Sequence, residues 1–370
     1  MLLCLCKTRV NHIANRDKLP NDCRARMMSN NETHATDINV EGVDPETQGA
    51  AVDEIRWFLR ILSTATSESL GKVTVRRVII AKDFDATVNA LSPQWKTSGV
   101  KYKAQRRTVR AIGKIVEHIE NESISFSLVF DSEVFHSWDE QAKAFRFEKF
   151  LHELVHVVID AGRFQRLGTA KYYPDEKTAE GICLSLALNA TNEYKVDRMV
   201  DKLCKEFLAD NEHQPVPLVK LCLAEGFDFR VTLLELVRRM PELVVQNVLD
   251  FKEWRITIDE LWPRIWQFLD ELLTVFAHCA AMHDQQGEWL QTLADITKTQ
   301  AYRLFLGGHI ESIHKEWQRL FDEPPADETE NLQAIANEIR GIFHGCGLTL
   351  TNIPDGIYVS VDFLQGRHIL

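Results

Sequence analysis

The chain has 370 residues, 45% hydrophobic and 26% charged, which excludes a disordered tail protein, a collagen-like fibre and a disulfide-dense mini-scaffold. Its length gives room for two domains or one enlarged domain. With 43 basic and 54 acidic residues the formal net charge is -11, which argues against a nucleic-acid partner held by overall charge.

Residues 1 to 45 are polar and without a regular period, as expected of a poorly ordered leader. The opening MLLCLCKTRV has too short an apolar run for a secretory signal. Val52 to Thr66 carries apolar residues at Val52, Ile55, Leu59 and Leu62, the spacing of an amphipathic helix. Val73 to Ile80 is rich in β-branched residues and reads as a strand. Val109 to Ile119 fits a helix or a strand equally well. In Ile124 to Phe130, apolar residues alternate with Ser125 and Ser127, which predicts a strand with one buried and one polar face. Such a strand, at a sheet edge, would offer backbone groups to an extended peptide.

Ser137 to Glu140 matches a capping box, so a helix is expected from there to about Ile159, with Gly162 as its stop. A second helix is expected from Pro174 to Leu188 and a third from Thr191 to Leu208. The breaker HQPVP, His213 to Pro217, sets a domain boundary. Residues 218 to 345 read as mostly helical, with Trp254, Trp262, Trp266, Trp289 and Trp317 as packing anchors. Leu348 to Thr351 and Ile357 to Phe363 read as a β-hairpin. The long apolar stretch Trp262 to Met282 carries Arg264, Asp270 and Glu271, which disfavours a membrane span. Eight scattered cysteines without a CxxC pair read as reduced thiols, so the expected location is cytoplasmic and no membrane partner is expected.

One motif carries chemistry. His152-Glu153-Leu154-Val155-His156 lies within the capped helix. Residues four apart share a helix face, so both imidazoles can reach one metal ion, while Glu153 is offset to hold a water beside it. Zn2+ at such a site lowers the pKa of its water towards about 7, and Glu153 takes the proton as general base. With 13 histidines in 370 residues the pattern arises by chance only about 0.04 times in such a chain. A catalytic zinc needs a third protein ligand and an open position. Glu176, Glu180 and Glu193 compete for the third place. Glu176 sits in an acidic first turn that a helix dipole alone would favour. For a second donor to a transition-state oxyanion, Tyr172, Tyr173, Tyr194 and His309 are the candidates, while His278 and His283 read as structural.

HELVH followed by a helical glutamate resembles the gluzincin metallopeptidases. Asn192-Glu193-x-x-x-Asp197 is similar to the N-E-x-x-x-D segment of thermolysin-like enzymes. Glu193-Tyr194-x-x-Asp197 resembles the E-[FY]-x-A-D segment of the CAAX prenyl-protein peptidases, with Val196 where that family has alanine. The resemblance covers residues 124 to 200. It implies that Glu193 binds zinc and that Asp197, with Asn192 beside the ligand, supports a zinc-bound histidine. The spacing to Glu193 is longer than in thermolysin, where Glu176 fits better, and the membrane helices of the prenyl-protein peptidases are lacking. Glu193 is therefore the expected third ligand and Glu176 the alternative. The fold class this implies is α+β. A zincin-like metallopeptidase domain with a small twisted sheet would span 46–214, and a mostly helical domain ending in a hairpin would span 215–370. The expected activity is peptide-bond hydrolysis on a peptide or protein substrate. A regulatory peptidase specific for one partner, and a catalytically silent zinc-binding interaction protein, remain as alternatives.

Overall fold

The computed structural model describes residues 36–66, 74–92, 111–120, 122–168, 173–210, 229–286, 294–325, 327–354 and 356–362. The expected leader up to residue 35, the HQPVP boundary, Trp289 and Tyr172 lie outside them. The fold is a mixture of helices and a small sheet, with helices predominating, and the chain forms two compact units. One comprises residues 1–172 and 199–226, the other 173–198 and 227–370.

The first unit holds a four-stranded sheet in the order β1-β2-β4-β3, formed by β1 (Asp37–Val40), β2 (Thr74–Ala81), β3 (Gly113–Glu120) and β4 (Ser123–Asp131). The end of the expected leader is thus a strand. β1 pairs parallel with β2 through the crossover helix α1 (Gln48–Thr66), β2 pairs parallel with β4, and β3 returns antiparallel to β4. The ambiguous segment before residue 120 is a strand because its residues pair along β4, from Gly113 opposite Phe130 to Glu120 opposite Ser123.

Two expectations about β4 fail together. It lies inside the sheet, not at its edge, and Ser125 and Ser127 are buried. The serines tolerate this because β3 satisfies them: the Ser127 hydroxyl meets His118 Nε2 at 2.9 Å, and Ser125 Oγ donates to the His118 carbonyl at 3.3 Å. β1 and β3 are the edge strands. One sheet face packs a core with α2 (Phe84–Leu91), in which Phe84 and Val88 meet Ile79, Val116 and Val129. On the other face, Phe130 stacks on Phe150 at 3.9 Å between ring centroids, and Phe150 stacks on Phe58 of α1 at 4.7 Å.

Phe150 belongs to α3 (Glu140–Leu167). Its N-cap is Asp139, which accepts from Ala142 N at 2.7 Å, and Ser137 donates to Asp139 at 2.6 Å instead of capping the helix itself. The helix passes through Gly162 and stops at Gly168, whose φ of +68 closes the last turn at no steric cost. Arg146 fixes its first half. That guanidinium is fully buried, donates to Glu54 of α1 at 3.0 and 3.2 Å and to the Val134 and Ser137 carbonyls, and lies over the Phe135 and Trp138 rings.

The two helices expected from Pro174 to Leu208 are one, α4 (Ala179–Asp210). No glycine or proline interrupts it after Gly181, and Asn189 sits exposed on its surface. Gly181 is obligatory: a Cβ there would lie 1.8 Å from the Asp175 carbonyl oxygen, so the turn at Asp175–Thr178 folds directly onto the helix start.

The second unit adds α5 (Phe229–Lys252), α6 (Ile258–Gln286), α7 (Gly307–Asp322) and α8 (Thr329–Gly345). It ends in the predicted hairpin, β5 (Leu348–Ile353) against β6 (Gly356–Val361). Trp317 is fully buried, as are Phe268, Phe276 and Phe305, whereas Trp254 is no anchor: it is 91% exposed on the turn after α5. No described helix is long and apolar enough to cross a membrane.

Candidate metal centre

His152 and His156 follow the α3 repeat, and the apolar side of that helix (Phe147, Phe150, Leu151, Leu154 and Val155) is buried. Burial of that side leaves the two imidazoles half-exposed on another. Their Nε2 atoms approach to 3.2 Å with the rings nearly perpendicular at 70°. Two nitrogens about 2.0–2.1 Å from one tetrahedral zinc stand roughly 3.3 Å apart, so the pair already has the spacing of two ligands to a shared ion. Among the described residues, His152, His156 and Glu193 are the one group of three or more histidine, cysteine, aspartate or glutamate side chains whose ligand atoms all lie within 4.8 Å of one another. Two imidazoles and a carboxylate are a donor set that suits zinc.

Glu153 points elsewhere on α3. Its carboxylate lies on the backbone of Gly113, at the start of the edge strand β3, where a Cβ would meet Oε1 at 2.7 Å. Glycine therefore allows this close approach, a second position where its missing side chain is needed. One turn beyond His156, Asp160 is buried with Arg163 at 3.3 Å. Burial pushes the Asp160 carboxyl up to about 6, with Glu117 adding to the effect and Arg163 opposing it.

The segment of α4 around Glu193 is locked on several sides. Thr191 accepts from Trp317 Nε1 at 2.9 Å, Lys195 pairs with Glu328 at 2.8 Å, and Arg198 pairs with Asp284 at 3.2 Å. Tyr194 stacks on Trp317 and donates its hydroxyl to Asp284 at 2.6 Å. Burial, together with Asp284, raises that hydroxyl far above the usual phenol range. Tyr194 is fully buried, so the expectation of Tyr194 as an oxyanion donor fails: its proton is committed to an interior carboxylate. His309, another oxyanion candidate, pairs with Glu338 at 2.6 Å, and Tyr173 is exposed. Asn192 is half-buried.

The competing glutamates have other partners. Glu176 is exposed in the turn before α4 and accepts from Ser185 at 2.7 Å. Glu180 accepts from Asn352 at 2.8 Å and faces Arg340 at 3.5 Å, with the Asn352 bond holding its carboxyl below the usual range. Asp197 accepts from His278 Nδ1 at 2.7 Å, while His278 Nε2 lies 3.6 Å from Glu193 Oε2. Reading His278 as structural from its apolar helical surroundings misses this pairing. No local spacing signals a contact between residues 81 apart in the chain.

Comparison with known protein families, with curated proteins and with solved structures finds no match.

Proposed function

We propose that the chain is a zinc-dependent metallopeptidase whose zincin-like segment lies within residues 46–214. The observation that carries this reading is the convergence of His152, His156 and Glu193 within 4.8 Å. His152 and His156 would hold the ion through Nε2 and Glu193 through a carboxylate oxygen. A zinc held there supplies Lewis-acid polarisation of a peptide carbonyl and acidifies a water. The Glu153 carboxylate takes a proton from the attacking water and passes it to the departing amide nitrogen. Glu153 rests on Gly113, so a peptide extended along the β3 edge would run past the base. β3 thus replaces β4 as the strand that would align a substrate.

The described cysteines Cys183, Cys204, Cys279 and Cys346 are buried and in no disulfide, in keeping with a reducing, cytoplasmic location. The substrate is a peptide or protein, and the acidic chain favours no nucleic-acid partner. The test is metal analysis together with hydrolysis of a mixed peptide library by the purified chain. About one zinc per chain with cleavage supports the reading. One zinc per chain without cleavage, unchanged in Glu153→Gln, would mark a silent zinc-binding protein instead. Absence of metal after gentle purification overturns the site.

A further inference from the structure

Glu153 lies against the sheet at a point where the sheet has no side chain. Gly113 on β3 stands opposite Phe130 of β4, and residues directly opposite share a sheet face. On that face Phe130 stacks on Phe150 of α3, and Glu153 follows Phe150 by one helical turn. The helix thus carries Glu153 over Gly113. A Cβ on Gly113 would lie 2.7 Å from Glu153 Oε1, 3.0 Å from its Cγ and 3.1 Å from its Cδ, the three nearest atoms all belonging to this one side chain. The backbone does not call for glycine here. Gly113 has no positive φ, and its register with β4 is regular.

The crowded atoms include Cγ, so turning the carboxylate about its last bond does not make room for a methyl group. The side chain would have to leave its rotamer, and the next staggered position carries the carboxylate elsewhere. That escape costs the fold little, because the atoms in the way are the end of a flexible side chain. It costs proton transfer far more, since a misplacement of about 1 Å can slow a reaction by about 10²-fold. We infer that Gly113 is a positioning residue for Glu153. Its missing Cβ is the space that seats the carboxylate against β3, and any side chain there displaces the base. The strand that would align a peptide then also sets where the base stands. This inference rests on the metallopeptidase reading above and deepens it.

The experiment compares wild type, Gly113→Ala, Glu153→Gln and the double variant as full chains loaded with zinc. Steady-state hydrolysis of the peptide that wild type cleaves best is measured, with zinc content and thermal melting as checks. Crystals of metal-free wild type and Gly113→Ala locate the Glu153 carboxylate independently of activity. The expected result in Gly113→Ala is a kcat lower by about 10- to 100-fold, with KM, zinc content and melting close to those of wild type and the Glu153 carboxylate moved off β3. In the Glu153→Gln background, where the base is already gone, Gly113→Ala should lower kcat no further. If Gly113→Ala turns over as wild type does, or keeps Glu153 in place in its crystal, the positioning role is wrong and the metallopeptidase reading stands. If it lowers kcat by the same factor with and without the base, or loses zinc and melts early, the glycine serves substrate or fold and the inference falls. If wild type itself hydrolyses no peptide, the metallopeptidase reading fails and takes this inference with it.

Discussion

The helix that carries the two histidines and the segment that carries the glutamate are built differently. α3 obtains its histidine pair from its own repeat. Once Asp139 caps it and Arg146 anchors it to Glu54, residues 152 and 156 share a face whatever the rest of the chain does. α4 has no such guarantee. Its sequence offers Glu176, Glu180 and Glu193 near one helix, and the difference among them lies in partners far away. Ser185 takes Glu176, Asn352 takes Glu180, and Glu193 faces His278. Two histidines one turn apart need only a helix, whereas the setting of Glu193 depends on distant partners that hold its segment of α4, Trp317, Asp284 and Glu328.

That contrast can be broken at several points. The largest effect is expected from Glu153→Gln, which touches neither anchor. Turnover should fall by about 10²- to 10⁴-fold with metal content unchanged, measured by peptide hydrolysis and metal analysis. Loss of metal in this variant would move Glu153 from proton transfer to binding.

Next is the anchor of α3. Glu54→Ala strands a buried guanidinium and should cost about 3 kcal/mol in urea unfolding, at the lower end for such pairs because water partly reaches Glu54. An unchanged midpoint would mean that the helix is held by its rings alone.

The third test addresses α4. Glu193→Ala should weaken zinc by more than about 100-fold, beyond what losing an outer orienting group costs, and Glu176→Ala should leave it unaltered. The reverse ranking would return the role to Glu176.

The smallest effect concerns pH. Asp160 has an ordinary value of 3.8 raised to about 6 in the fold, so folding favours its neutral form. Its contribution to stability is full below pH ~4, declines as pH rises to ~6 and is flat above, with a ceiling of about 3 kcal/mol. Urea midpoints at pH 5 and 7.5 should differ less in Asp160→Asn than in wild type. An equal difference would exclude Asp160 as the source.

Much of the fold can be read from residue patterns. The helix over Val52 to Thr66, the strand from Thr74, the helix bearing HELVH and the terminal hairpin lie where periodicity places them. The departures share one cause: a polar residue is not in itself a sign of exposure or of an end. Ser125 and Ser127 alternate as an open face would, yet β3 satisfies both. Ser137 has the spacing of a cap, but Asp139 takes that place. The expected gap between Leu188 and Thr191 and the expected stop at Gly162 both disappear, because neither interrupts a helix whose next turn can still bond. Trp254 departs in the opposite direction, as a large apolar ring that stands in solvent.

By itself the sequence determined what repeats locally: the strands from Thr74 and from Ser123, the helix bearing HELVH, and the one-turn spacing that lets His152 approach His156 to 3.2 Å, because backbone periodicity fixes side chains a turn apart. Only the tertiary structure decided that β3 forms the sheet edge beside β4, that Glu153 rests on Gly113, and that Glu193 and Asp197 share His278. Contacts between residues tens of positions apart depend on how whole elements pack, and no short stretch of chain encodes them.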